Sequence, residues 1–232
     1  MHQRIKWLFH AIFLACLLVV VIFARCFGEA DHASTKPAES FLLIDPGHGG
    51  EDGGATGVDG VSEKMLNLSI ATNLRDILSV CGVSVKMTRE EDVSIHNPGS
   101  SGIRQIKVSD MNNRLKLYDT ATATVSIHQN HFSVAKYHGA QVFYSAAHPL
   151  SNTLATAVRE RIGSLVQPNN TRELKKATDS IFLLHHTTKP AILVECGFLS
   201  NPQECEQLQE LSYQRQLAFA IATGVLDVYQ SE

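Results

Sequence analysis

Four side chains in this sequence have the chemistry of a hydrolytic centre: His48, Glu63, His128 and Glu195. His48 stands in Asp45-Pro-Gly-His-Gly-Gly, just after an apolar run that begins at Phe41. His128 closes Val125-Ser-Ile-His, and Glu195 closes Ile192-Leu-Val-Glu; both runs have strand character. In open α/β sheets, ligands gather beyond the carboxyl ends of the strands, so one sheet can bring these three together from distant parts of the chain. Glu63 opens a helical segment after the glycine-rich loop 47–60, and that loop can fold it back toward His48. Two imidazoles and a carboxylate, with one position left to water, form a catalytic zinc set. Zinc lowers the pKa of water to about 7 and polarises a carbonyl. A second carboxylate must then take a proton and pass it to the leaving nitrogen. Glu195 fits, because burial at a strand end raises a carboxyl pKa.

Each residue also has a plainer reading. Gly47, Gly49 and Gly50 can serve only a tight turn, and the spacing and Lys-Ser/Thr of a phosphate-binding P-loop are absent. His128 can be a satisfied core histidine. Glu63 can be a favourable charge in a helix's first turn, with Ser62 as cap. Jointly the functional reading is stronger, since each residue lies where one sheet-edge site needs it. His131 competes with His128 as a ligand. Strand alternation puts His128 and Asn130 on one face and His131 elsewhere, so His128 is the expected ligand, with Asn130 as an outer or loop-shaping residue. His138, His148, His185 and His186 read as surface or loop histidines. Arg89 and Arg114 are candidates for binding peptide carboxylates or for structural ion pairs beside the sheet.

The elements that must position these groups alternate along the chain. Strands are expected at Phe41–Asp45, Val83–Thr88, Thr124–His128, Ala140–Tyr144 and Ala191–Glu195. Helices are expected from Ser62 to about Val80, Ile103 to about Ala121, His148 to about Val166, and Tyr213–Tyr229. The first helix carries Met65, Leu66, Ile70, Leu74, Ile77 and Leu78 at helical spacing. This order implies a single α/β domain: a mostly parallel, twisted sheet of about six strands with helices on both faces.

The 232 residues are 44% hydrophobic and 19% charged, with a formal net charge of −3. That is a globular chain with a real core and without the basic stripe of a nucleic-acid binder. Residues 1–30 differ: Arg4 and Lys6 precede an apolar run from Trp7 to Ala24 broken by His10. This is an export signal peptide, with Gly28 and Ala30 placed like a cleavage site, or an uncleaved membrane anchor. In both cases the basic residues leave the domain outside. Residues 31–40 read as a polar linker and 41–232 as the catalytic domain. Removal of residues 1–30 would leave 17 basic and 22 acidic residues, a net of −5. Cys81, Cys196 and Cys205 would remain, an odd number and so no complete disulfide framework. Cys81, among apolar neighbours, reads as a buried thiol, and a Cys196–Cys205 pair is an open alternative.

Four segments in order, Asp45-Pro-Gly-His-Gly-Gly, Gly60-Val-Ser-Glu-Lys, Ser126-Ile-His-Gln-Asn and Val194-Glu-Cys-Gly-Phe-Leu-Ser-Asn, resemble the successive motifs of zinc-dependent N-acetylmuramoyl-L-alanine amidases of the amidase_3 type. The resemblance runs from about Phe41 to Tyr229. By position it implies His48, Glu63 and His128 as zinc ligands and Glu195 as the catalytic glutamate. It also implies cleavage of the amide between N-acetylmuramic acid and L-alanine in peptidoglycan. Lys107-Val-Ser-Asp, Asn113-Arg-Leu-Lys-Leu, Thr171-Arg-Glu-Leu-Lys-Lys, Ile181-Phe-Leu-Leu and Lys189-Pro resemble the spore-cortex, germination-associated branch. That branch is exported, to the forespore intermembrane space and cortex, and acts with a muramic acid deacetylase to make muramic-δ-lactam. An accessory protein is a further expected partner. Cys196 after the glutamate and His131 after the Asn depart from the pattern, at the site and at its rim. Two rival functions are a glycosidase using Glu63 and Glu195 as paired carboxylates, which leaves the histidines idle, and a non-catalytic wall-binding protein.

Overall fold

The computed structural model of the protein describes residues 40–229. The expected signal or anchor over 1–30, and the expected linker except Ser40, lie outside the described residues. The elements in chain order are β1 (Leu42–Pro46), α1 (Glu63–Val80), β2 (Val85–Met87), α2 (Ile103–Thr120), β3 (Ala123–Asn130), β4 (Gln141–Tyr144), α3 (Pro149–Leu165), β5 (Lys175–Lys176), α4 (Phe182–His186), β6 (Ala191–Phe198), α5 (Pro202–Gln209) and α6 (Leu211–Tyr229).

The strands form one six-stranded sheet in the order β2-β1-β3-β6-β4-β5. β1, β2, β3 and β6 run parallel. β4 pairs antiparallel with β6, and β5 runs parallel to β4. The sheet is thus mostly parallel, as the alternation of elements implies, with one reversal at β4. β1 and β6 are buried on both faces and open as continuous apolar runs for that reason, whereas β3 between them alternates apolar and polar residues.

Alternation within the strands sorts the core into two layers. Leu42, Ile44, Val125, Ile127, Ile192 and Val194 pack on the face covered by α1, α3 and α6. Leu43, Ala191 and Leu193 pack on the opposite face, against Tyr118 of α2 and Leu183 and Leu184 of α4. In α1 the stripe Leu66, Ile70, Leu74 and Leu78 is buried, each side chain contributing about 2 kcal/mol relative to exposure. Met65, expected on that stripe, is 47% exposed on the other side of the helix. α6 approaches α3 closely because Gly224 carries no side chain: a Cβ there would lie 2.6 Å from Cα of Val158.

Two local expectations are corrected. Cys81 is exposed: it caps the C-terminus of α1 at the turn into Gly82, so the chain leaves the buried stripe before reaching it. Cys196 and Cys205 are both buried and free, not paired. Ser62 does sit at the N-cap of α1 but makes no capping bond; its hydroxyl donates to the Gly53 carbonyl at 2.8 Å and so ties the glycine-rich loop to the helix.

Candidate metal centre and active site

The loop after β1 is held rigidly. Arg89 donates to the carbonyls of Pro46 (3.0 Å) and Gly47 (2.9 Å), and Arg114 of α2 donates to those of Pro46 (3.0 Å) and His48 (2.7 Å). Both arginines are buried. Arg114 also pairs with Asp45 and, at 2.6 Å, with Asp110. They are structural cations, not binders of peptide carboxylates. Gly47 lets this loop pass against β3: a Cβ there would fall 2.1 Å from Cε1 of His128. His48 itself adopts φ 63°, a left-handed conformation uncommon for a residue with a Cβ.

Below the loop, Asp45 is fully buried on β1 and accepts from Thr88 (2.7 Å), Tyr118 (2.6 Å), Ser126 (2.9 Å) and Arg114. Burial opposes its charge, but the Arg114 guanidinium and the hydroxyl donors prevail and bring its pKa down to about 2.

Glu63, in the first turn of α1, arrives from the other side of the loop. Its carboxylate is fully engaged. Oε1 accepts from the Gln129 N–H at 3.1 Å and the Asn67 amide at 3.1 Å, and lies 3.0 Å from Nδ1 of His128. Oε2 accepts from the Ala55 N–H at 2.7 Å and lies 3.3 Å from Nε2 of His48. Ligand atoms of His48, Glu63 and His128 all lie within 4.8 Å of one another. The two imidazole rings meet edge to face, with centroids 5.0 Å apart. Burial opposes the charge of Glu63, yet the bonds from His128 and His48 hold its carboxyl well below the usual carboxylate range. Burial also disfavours a charged His48, and the carboxylates of Asp52 and Glu63 outweigh it, raising that pKa to about 9. A cluster that favours positive charge this strongly suits a divalent cation, and two imidazoles with a carboxylate suit zinc among them.

Glu195 stands beside this cluster, on the strand next to His128. Its backbone pairs with His128 in the β3–β6 register, and on the alternating pattern both side chains project to the face of α2 and α4. Its Oε2 is buried and meets no hydrogen-bond partner among the described residues. Desolvation raises the carboxyl pKa to about 7. A buried carboxyl oxygen without a partner is costly, and such groups with raised pKa values concentrate at reaction sites. His48, His128 and Glu195 line one cavity of about 250 Å³, whose lining also includes the apolar Met111 of α2 and Ile181 and Phe182 at the start of α4.

The structure therefore brings together all four residues that the sequence singled out. It gives the two carboxylates different settings: both oxygens of Glu63 accept hydrogen bonds, whereas Oε2 of Glu195 has no partner among the described residues. His131 is exposed and outside the cluster. The register irregularity between the His128 and Asn130 pairs puts its extra residue in β6, between Glu195 and Phe198, and β3 itself runs on through Asn130; the Asn130 carbonyl accepts from the Leu199 N–H at 2.8 Å and shapes the strand end. His138, His185 and His186 are exposed, and His148 caps α3 by accepting from the Leu150 N–H. Sequence reasoning missed Asn67, Gln129 and Asp52. Asn67 left a signal, as a polar residue inside the apolar stripe of α1. Gln129 and Asp52 left none, since the contacts of Gln129 depend on how α1 packs on β3 and those of Asp52 on the path of its loop.

Comparison with known proteins agrees with this site. The family described as N-acetylmuramoyl-L-alanine amidase matches residues 42–227. The chain belongs to this amidase family and is an N-acetylmuramoyl-L-alanine amidase. It resembles the germination-specific branch: the germination-specific N-acetylmuramoyl-L-alanine amidase of Bacillus subtilis is 34% identical over 233 residues, covering 97% of this chain and 95% of the relative. The CwlD amidase of Clostridioides difficile, solved in complex with the GerS lipoprotein, superposes with a TM-score of 0.79 at 36% identity, covering 83% of this chain and all of that one. The B. subtilis amidase LytC is 26% identical over 88% of this chain, which spans only 40% of LytC's length.

Proposed function

We propose that this protein is a zinc-dependent amidase in which His48, Glu63 and His128 hold the metal and Glu195 carries the proton. Its substrate is peptidoglycan, cut between the lactyl carbonyl of N-acetylmuramic acid and the nitrogen of L-alanine. When bound, zinc supplies a Lewis acid for the carbonyl and acidifies water. Glu195 takes a proton from the attacking water and returns it to the alanine nitrogen as the C–N bond breaks. The apolar wall around Met111, Ile181 and Phe182 limits water beside the reacting amide and keeps the Glu195 carboxyl desolvated.

The observation that carries this reading is the unpartnered Oε2 of Glu195, on a carboxyl whose pKa burial raises to about 7, in one cavity with His48 and His128. A group that is partly ionised near neutral pH can act as base and then as acid. The reading extends to setting. Likeness to a germination-specific enzyme supports a role in spore cortex, where the product serves muramic-δ-lactam formation together with a muramic acid deacetylase. Export by residues 1–30, as signal or membrane anchor, places the domain outside the cytoplasm. The lipoprotein complex of the C. difficile relative supports an accessory partner here too.

The test is a pair of measurements on purified variants. Glu195→Gln should retain one zinc per chain and lose amidase activity by at least ~100-fold, the usual scale for losing a general acid–base. His48→Ala and His128→Ala should lose zinc. Full activity in Glu195→Gln, or stoichiometric zinc in both histidine variants, would overturn the assignment.

A further inference from the structure

One polar chain runs from the exposed side of α2 to a metal-site histidine, and neither the amidase chemistry nor the ligand set uses it. Oδ2 of Asp52 lies 3.0 Å from Nδ1 of His48 and 3.3 Å from Nζ of Lys107. Oδ1 of Asp52 accepts from the Gly54 N–H at 3.3 Å. We propose that Asp52 is a positioning residue that fixes the ring of His48 for the metal, and that Lys107 in turn holds Asp52. This rests on the zinc reading above.

The backbone is arranged to make this contact. His48 is the only non-glycine residue at positive φ among the described residues. That conformation starts a tight turn closed by two bonds, from the Gly49 N–H to the Asp52 carbonyl (2.9 Å) and from the Asp52 N–H to the Gly49 carbonyl (3.2 Å). The turn brings residue 52 back over residue 48. An unfavourable backbone conformation persists only where its surroundings over-determine it; here Arg114 clamps the His48 carbonyl and the turn clamps the next residues.

The chemistry follows from the two ring nitrogens. A neutral imidazole carries one N–H and one lone pair, and the partner of one nitrogen fixes the role of the other. Asp52 accepts from Nδ1, so the proton stays there and the lone pair of Nε2 is left to face Glu63, where the cation would sit. Without Asp52 the ring is free to flip and to place its proton on Nε2, which cannot then bind a metal. A carboxylate behind a metal-binding histidine also makes the ring a stronger donor. Asp52 is partly exposed, so water competes for it. The ammonium of Lys107, from the Lys107-Val-Ser-Asp segment of α2, opposes that competition. The position of α2 thereby bears on metal affinity.

The experiment measures zinc affinity of the full chain by competition with a chromophoric chelator, for wild type, Asp52→Asn, Asp52→Ala, Lys107→Ala and His48→Ala. Asp52→Ala should weaken zinc binding ~10–100-fold, the scale for losing an outer partner of a metal ligand. Asp52→Asn should lose less, because its amide oxygen still accepts from Nδ1, and Lys107→Ala should lose least. Metal-free melting temperatures should stay close to wild type, and excess zinc should restore turnover in Asp52→Ala. Wild-type zinc affinity in Asp52→Ala, with affinity lost in His48→Ala, would overturn the positioning role alone. A metal-free Asp52→Ala melting well below wild type, with Asp52→Asn unaltered in zinc affinity, would also overturn it, since Asp52 would then act on the fold. If wild type and His48→Ala bind zinc equally, or neither binds it, the zinc reading falls and this proposal with it.

Discussion

Replacing Asp45 by Asn removes a charge from the most crowded buried carboxylate under the active site. The carboxylate accepts from Thr88, Tyr118, Ser126 and Arg114, and these partners bring its pKa from 3.8 to about 2 against the opposing effect of burial. A depressed pKa means that the native fold prefers the ionised form. The stabilisation is therefore complete above the unfolded value near 3.8 and disappears as pH falls through about 2. A fall from 3.8 to about 2 corresponds to roughly 2–3 kcal/mol, at about 1.4 kcal/mol for each tenfold change in the protonation constant. Arg114 keeps Asp110 as a second partner at 2.6 Å, so the substitution does not strand its charge completely. Urea denaturation of wild type and Asp45→Asn between pH 2 and pH 7 measures the effect. The two stabilities should differ by roughly 2–3 kcal/mol above pH 5. The gap should narrow between pH 4 and pH 2. A gap that stays constant over that range would refute the electrostatic account and leave only a packing effect.

Other substitutions probe other contacts. Gly47→Ala puts a Cβ 2.1 Å from the His128 ring, so zinc content should fall sharply while far-UV circular dichroism is retained. Asn67→Ala removes a donor shared by the Glu63 carboxylate and the Gly47 carbonyl; it should cost about 1–3 kcal/mol in urea denaturation and weaken zinc binding. Gly224→Ala drives a Cβ to 2.6 Å from the Val158 backbone and should destabilise by about 1–3 kcal/mol, with kcat unchanged at saturating zinc.

Much of this was legible in the sequence where a physical period or a strand end carried the information. The stripe of α1 follows from Leu66, Ile70, Leu74 and Leu78, and β1 and β6 follow from their apolar runs. The meeting of His48, His128 and Glu195 follows from strand ends in one parallel sheet. Where chain direction or loop path decides, the sequence is silent. The reversal of β4 is invisible in Gln141–Tyr144, and β5 is two exposed lysines with no apolar pattern. α4 spans five residues and is too short to show a period. α5 does carry a start signal in Asn201-Pro202: Asn201 accepts from the Gln203 and Glu204 N–H groups, with Pro202 in the first turn. Arg89 and Arg114 resemble substrate-binding cations in sequence, and only their buried bonds to loop carbonyls show otherwise.

The account stands or falls on which bond is cut and on which residue moves the proton. Mass spectrometry of muropeptides, after peptidoglycan is incubated with zinc-loaded protein, reads the bond directly. The account predicts stem peptides with a free L-alanine amine and glycan that has lost them, from wild type and not from Glu195→Gln. New reducing sugar ends with the stem peptides still attached, or the same free amines from Glu195→Gln at the wild-type rate, would contradict it.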